Sequence, residues 1–355
     1  MANDDNLLSN LIKRDRNNFD AVRLIAACMV IYGHANALVA QGMEAGDFVR
    51  SLISFDYSGS LAVKIFFFLS GLVVANSLLE KKSALQFMLA RFFRIWPGMM
   101  FVVFVMAFFV GPVLTKLPLM EYLRNDGVTG YVKSNFLMSL RFDLPGVFED
   151  LRYSSVNGSL WTIPYEVGAY IILLSLFLLG FHKKTVLVFV LLFLLCIDPF
   201  LENRLIFSWR DASAGADDFG PCFAFGALLA VLKDRVVVGL NWVVGFFVLF
   251  LVFDRVEYSK YLFYASLFFA ILYIFSRSFV LRFRLPVDIS YGVYLWGWPV
   301  QQILVYSFPE MGVQVHRVSA IFLACFMGIF SWYLIEKPGI RFGGFVYKEI
   351  KNRVF

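Results

Sequence analysis

The chain has 355 residues, 60% of them hydrophobic, 18% aromatic and only 16% charged, with a formal net charge of +6. A mean hydropathy of +0.72 excludes a water-soluble globular domain and marks a polytopic membrane protein. The basic residues are spread over short loops between apolar runs, which excludes a nucleic-acid surface and reads as membrane topology instead.

Residues 1–18 are polar and lack an apolar run followed by a small-residue cleavage site, so no cleaved leader is expected. Apolar runs then predict spans near 20–39, 61–79, 96–114, 159–180, 185–199, 218–232, 237–253, 260–276, 287–307 and 315–335. The expected fold is all-α: a polytopic membrane helix bundle of about ten transmembrane helices. It forms one domain over 1–355, with tails at 1–18 and 337–355. With the N-terminus cytoplasmic, most of the 32 lysines and arginines fall on the inner side, which puts both termini there. Cys28, Cys196, Cys222 and Cys325 lie in or beside apolar runs without C-x-x-C spacing. Neither a disulfide framework nor a metal site is expected.

The first span, FDAVRLIAACMVIYGHANAL, carries Arg23 and His34. Eleven residues apart on a helix, they project from one face about 16 Å apart. An ionisable group at membrane depth costs at least about 2.5 kcal/mol, so it faces protein or water and is a candidate for function. In the second span, Ser70 and Gly71 offer a small surface to a neighbouring helix, and Lys64 is placed to snorkel. Arg91 and Arg94 follow, three apart on one face. They read either as topology and lipid contact or as a two-guanidinium clamp for phosphates.

The stretch 115–158 is too long for a connector inside a compact protein and contains turn-forming segments. It reads as a cover or acceptor-contacting loop, or as a solvated link; the loop near 200–217 is a second such candidate. In the fourth span, SLWTIPYEVGAYIILL, Glu166 lies beside Trp161 and Tyr165. A buried carboxylate needs a partner: His34, Lys64 or a tyrosine. The ninth span, DISYGVYLWGWPVQQILVYSF, lines up Tyr291, Tyr294, Trp296, Trp298, Gln301 and Gln302. Rings and amides together hold sugars, although aromatic belts also sit at membrane interfaces. His182 and His316 fall in expected loops without a role, and Glu336 with Pro338 marks a helix exit.

Taken in order, these segments resemble the acyltransferase-3 family of integral membrane acyltransferases, which includes O-antigen, exopolysaccharide and nodulation-factor O-acetyltransferases. The resemblance covers nearly the whole chain. It rests on Arg23 and His34, IFFFLSG at 65–71, RFFRIWP at 91–97, SLWTIPYE at 159–166, ISYGVYLWGWPVQQ at 289–302 and YLIEKP at 333–338. Two positions depart from it: Lys64, where an acidic residue often precedes the paired phenylalanines, and Gly297-Trp298, where many members carry histidine. No fused SGNH-type domain is found, so the chain is expected to act alone or with a separate partner.

The resemblance implies transfer of an acyl group, most often acetyl from acetyl-CoA, to a hydroxyl of a cell-envelope glycan or lipid-linked glycan at the bacterial inner membrane. No metal and no nucleic acid are implied. A neutral histidine can take the proton of a sugar hydroxyl as it attacks a thioester. His34 is assigned that role, with an acetyl-histidine as the less favoured variant. Arg23 would hold the donor or orient the site, Glu166 would orient His34, and Arg91 and Arg94 would bind the coenzyme phosphates. Trp161, Tyr165, Tyr291, Tyr294, Trp298 and Gln301 are the substrate-binding candidates. The rival reading from another class is a transporter or flippase of a lipid-linked glycan or small solute; a catalytically dead scaffold is a third.

Overall fold

A computed structural model describes residues 4–39, 46–181, 184–197, 201, 215–254 and 256–354. Among them the chain is helical without a named strand. Its apolar helices are α1 (Phe19–Leu38), α2 (Ser58–Lys81), α3 (Ala84–Leu114), α4 (Gly158–Gly180) and α5 (Lys184–Ile197), followed by α6 (Phe219–Val231), α7 (Leu240–Val252), α8 (Lys260–Ile274), α9 (Ser290–Ser307) and α10 (Val313–Arg353). Each coincides with one predicted span, and α1 to α4 and α10 are long and apolar enough to cross a membrane. This is an all-α membrane bundle. His182 and most of the 200–217 loop lie outside the described residues.

Contacts group the residues into two units, each assembled from separated stretches. The first gathers 1–26, 60–84 and 165–287. Here α2 and α6 touch backbone to backbone. A Cβ added to Gly71 would lie 2.1 Å from the Phe223 carbonyl oxygen, and one on Gly226 would lie 2.1 Å from that of Phe68. Small residues give apolar helices this approach, and dispersion then holds them. Phe67 on Phe219 and Phe68 on Phe268 stack beside the contact, at 4.5 and 4.1 Å between ring centroids. Lys64 does not snorkel. It is buried, bonded to Ser60 at 2.7 Å and paired with Asp218 at 3.6 Å, and Asp218 also binds Lys260 and Tyr261. The N-terminal segment is no loose tail either: Leu8 and Leu11 are buried, and the Leu8 amide bonds the Val236 carbonyl at 2.9 Å.

The second unit gathers 27–59, 85–164 and 288–355. The expected loop at 115–158 is largely folded. Helices at Leu119–Arg124 and Asp126–Phe136 replace the turn expected there, and the Asn125 side chain caps the second by accepting from the Gly127 amide at 2.8 Å. Tyr122 is fully buried and donates to the Ala107 carbonyl at 2.8 Å. That carbonyl belongs to a π-turn over Met106–Val110, a wide turn that loosens the helical hydrogen-bond ladder. The expected C-terminal tail is helix as well. Past a π-turn at Trp332–Glu336, α10 continues and lays Gly339 and Gly343 against Pro97 and Phe93 of α3.

Gly71→Ala should lower stability by about 1–3 kcal/mol through overpacking, read as a lower thermal midpoint in detergent. Gly245→Ala, where a Cβ meets nothing within 4 Å, should leave the midpoint unchanged or raise it.

Candidate functional site

His34 sits in the C-terminal half of α1, inside the second unit. Its ring meets Trp298 of α9 edge-on, 5.0 Å between centroids at 78°. Among the described residues neither imidazole nitrogen has a hydrogen-bond partner, and Nδ1 is the enclosed one. The turn that carries it is clamped on several sides. Gln301 donates to the Ile31 carbonyl at 2.9 Å. At Gly297 a side chain would meet Ile31 at 2.8 Å, and at Gly33 one would meet the Gly59 amide nitrogen at 2.7 Å. Arg317 of α10 is buried over the Tyr32 ring at 3.9 Å and donates to Asn36 and the Gly46 carbonyl. No carboxylate pairs with Arg317 among the described residues. Glycine at 297 is thus what lets α9 lie against α1.

The segment 153–157 is laced to α9. Pro299 lacks an amide hydrogen, so it removes the helical donor for the Leu295 carbonyl. Asn157 supplies the replacement, donating to that carbonyl at 3.1 Å. Trp298 Nε1 donates to the Ser155 carbonyl at 2.8 Å, and Gln302 donates to Ser155 and Tyr153 at 2.9 and 2.6 Å. Tyr294 donates to the Ser159 carbonyl at 2.8 Å, and Tyr291 to the Ile95 carbonyl at 2.9 Å. Apart from Trp296, whose Nε1 is buried without a partner, the expected sugar-binding wall spends its donors on backbone. Tyr291, Tyr294, Trp298 and Gln301 brace the structure because membrane-depth carbonyls need partners, and the Oε1 of Gln301 is left unpaired.

At the start of α9 lies a charged cluster. Arg94 of α3 binds Asp288 at 2.7 Å and Glu336 at 3.1 Å, with its guanidinium 5.5 Å over the Tyr291 ring. Ser331 donates to Glu336 at 2.9 Å, and Ser290 to Asp288 at 2.5 Å. Two carboxylates occupy the fork expected to clamp phosphate, so Arg94 ties α3, α9 and α10 together, while Arg91 stands one turn earlier on α3. Glu336 is more than a helix-exit residue: it is buried and ion-paired.

The remaining candidates are held in other ways. Arg23 pairs with Asp20 at 3.5 Å. Glu166 accepts from Tyr170, which shares a hydrogen bond with Ser70 at 2.7 Å, so it meets a tyrosine and not the imidazole. Tyr165 is buried with its ring edge-on to Phe219, 6.0 Å between centroids, and Trp161 lies in the first turn of α4. His316, expected in a loop, is buried on α10 with Nε2 3.3 Å from the Gln301 carbonyl. Among the described residues no group of His, Cys, Asp or Glu could hold a metal ion.

Comparison with known proteins decides the family. The sequence pattern of the acyltransferase domain matches residues 16–337. The chain belongs to the acyltransferase-3 family. It is 30% identical over 332 residues to the O-acetyl transferase of Shigella phage Sf6, covering 90% of this chain and 95% of that protein. It is 30% identical over 165 residues to nodulation protein 10 of Rhizobium leguminosarum bv. viciae, covering 44% of this chain and 43% of that protein. It is 26% identical over 387 residues to the peptidoglycan O-acetyltransferase OatA of Listeria monocytogenes, covering 95% of this chain and 58% of that protein. No solved structure matches.

Asn157→Leu leaves a buried carbonyl without a donor and should cost about 1–3 kcal/mol, measured as a lower unfolding midpoint. Arg94→Met strands two carboxylates. Its cost should fall toward the lower end of about 3–5 kcal/mol, because the guanidinium is 22% exposed. Combining it with Asp288→Asn and Glu336→Gln should restore most of the lost stability.

Proposed function

We propose that this protein moves an acetyl group from cytoplasmic acetyl-CoA to a hydroxyl of a cell-surface glycan at the bacterial inner membrane. One observation carries the reading: among the described residues neither nitrogen of His34 on α1 has a hydrogen-bond partner, while Arg94, Tyr291, Tyr294, Trp298, Gln301 and Gln302 of the same unit donate to carboxylates or backbone carbonyls. The names of the relatives, an O-acetyl transferase and a peptidoglycan O-acetyltransferase, support acetyl transfer to a sugar hydroxyl.

In this reading His34 takes the hydroxyl proton at Nε2, the nitrogen that is not enclosed, while the sugar oxygen attacks the thioester carbonyl. A carbon–oxygen bond forms, the tetrahedral centre collapses, and the carbon–sulfur bond breaks. The imidazolium returns its proton to the departing coenzyme A thiolate, so the histidine ends neutral. A neutral base suits the site, because a charged one would have no counter-ion there.

The helices of the second unit supply the geometry. Ile31 of α1 lies against Gln301 of α9, and Leu38 shares a cavity wall with Val305, so α1 and α9 run parallel. Arg94 lies near the start of both α3 and α9. This order of directions is what alternating spans require, and with a cytoplasmic N-terminus it puts Arg91 and Arg94 on the cytoplasmic side. Arg91 then contacts the coenzyme phosphates, Arg94 positions the helices around that approach, and Arg23 guides the donor along α1.

Membranes containing the protein should transfer label from radioactive acetyl-CoA to envelope glycan, and His34→Ala should lower the rate at least about 100-fold while the protein stays inserted and monodisperse. Transfer that survives the substitution removes His34 from the chemistry. No label on glycan or protein, together with counterflow of an unmodified solute, identifies a carrier instead.

A further inference from the structure

The far end of the second unit holds a cavity of about 320 Å³, within the range of small-molecule sites, that the chemistry above does not use. Its wall includes Leu38 of α1, Asp150 and Arg152 of the long connection, Phe308 and Met311 beyond α9, and His316 of α10.

Position ties it to the base. Leu38 lies one helical turn past His34, about 6 Å along α1. The strip that supplies Asp150 and Arg152 runs straight on into Tyr153 and Ser155, whose carbonyls are bonded by Gln302 and Trp298. The Trp298 ring is the one that meets His34. A ligand seated against this strip is therefore registered to the imidazole through a short run of hydrogen bonds. The cavity also lies at the opposite end of α9 from Arg94: Ser290–Ser307 is 18 residues, about 27 Å, with Trp298 near its middle.

Chemistry indicates the occupant. Asp150, ion-paired with Lys116, brings a carboxylate to the wall, Arg152 lies over the Tyr153 ring at 5.8 Å and brings a guanidinium, and Phe308 adds a ring face. His316 is 1% exposed, and its Nδ1 is buried without a partner. With its Nε2–H donated to the Gln301 carbonyl, Nδ1 is an acceptor enclosed behind the cavity wall. Planar donors and acceptors around an aromatic face suit a sugar ring, which has hydroxyls at its rim and C–H groups on its faces.

We propose that this cavity binds a sugar of the acceptor glycan and so sets which hydroxyl is presented to His34. This rests on the O-acyltransferase reading. Arg152 and Asp150 are the specificity-determining contacts, and neither takes part in the chemical step.

The test uses the full-length protein in nanodiscs, radioactive acetyl-CoA, and envelope polysaccharide from the host stripped of its acetyl groups with mild base. Met311→Trp, which fills the cavity, and Arg152→Ala, on an exposed side chain, should each raise the acceptor KM about tenfold or more. The rate at saturating acceptor and the Kd for acetyl-CoA should stay at wild-type values. Wild-type acceptor KM in both variants overturns the subsite and leaves the transferase reading standing. A wild-type protein that labels no glycan overturns the reading and the subsite with it. If Met311→Trp fails to fold, Arg152→Ala alone decides, since an unchanged KM there refutes the proposal.

Discussion

A carbonyl surrounded by hydrocarbon must find a donor, and Pro299 takes one away from Leu295. Asn157 supplies the replacement from a segment far away in sequence. Once that bond is made, Ser155 and Tyr153 fall within reach of Trp298 and Gln302, and the long connection is fixed along α9. The orientation of Trp298 follows from this, and with it the environment of His34. Non-helical backbone is held here because the Tyr153 and Ser155 carbonyls are answered by side chains of the helix they cross.

The same rule governs the other polar side chains of the unit. Arg94 is balanced by Asp288 and Glu336, and the amides and hydroxyls of α9 are committed to carbonyls. Polar side chains in an apolar bundle are costly unless paired, so most of those present serve as braces. His34 and His316 each keep an unpartnered Nδ1, and both lie against α9.

Hydropathy made the helices legible. The ten apolar runs correspond to the ten apolar helices among the described residues, with most ends displaced by a few positions and with α3 starting 12 residues earlier and α10 ending 18 residues later than expected, because a run of some twenty apolar residues has few other fates in a membrane protein. Ser70-Gly71 was legible as a close-packing surface for the same kind of reason. Partners were not legible. Arg91 and Arg94 looked like an anion fork because the sequence shows their spacing but not that Asp288 and Glu336 come to meet Arg94 from almost 200 residues away or more. Glu166 could be paired with histidine, lysine or tyrosine on paper, and one turn along its own helix Tyr170 was nearest. The helices at Leu119–Arg124 and Asp126–Phe136 were hidden by Asn-Asp-Gly, a turn signal that here caps a helix. His316 was legible as well: it falls inside the predicted span 315–335, where an ionisable side chain marks a position facing protein.

The length of α10 has its own consequence. Val313–Arg353 is 41 residues, about 61 Å of helix and twice the thickness of a bilayer's oily interior. Roughly half of it must stand in water or among headgroups, and that half carries Lys337, Arg341, Lys348, Lys351 and Arg353. Leaning on α3 through Gly339 and Gly343, it forms a stiff cationic mast beside Arg91. An anionic molecule diffusing toward that side of the protein meets this field before it meets any pocket.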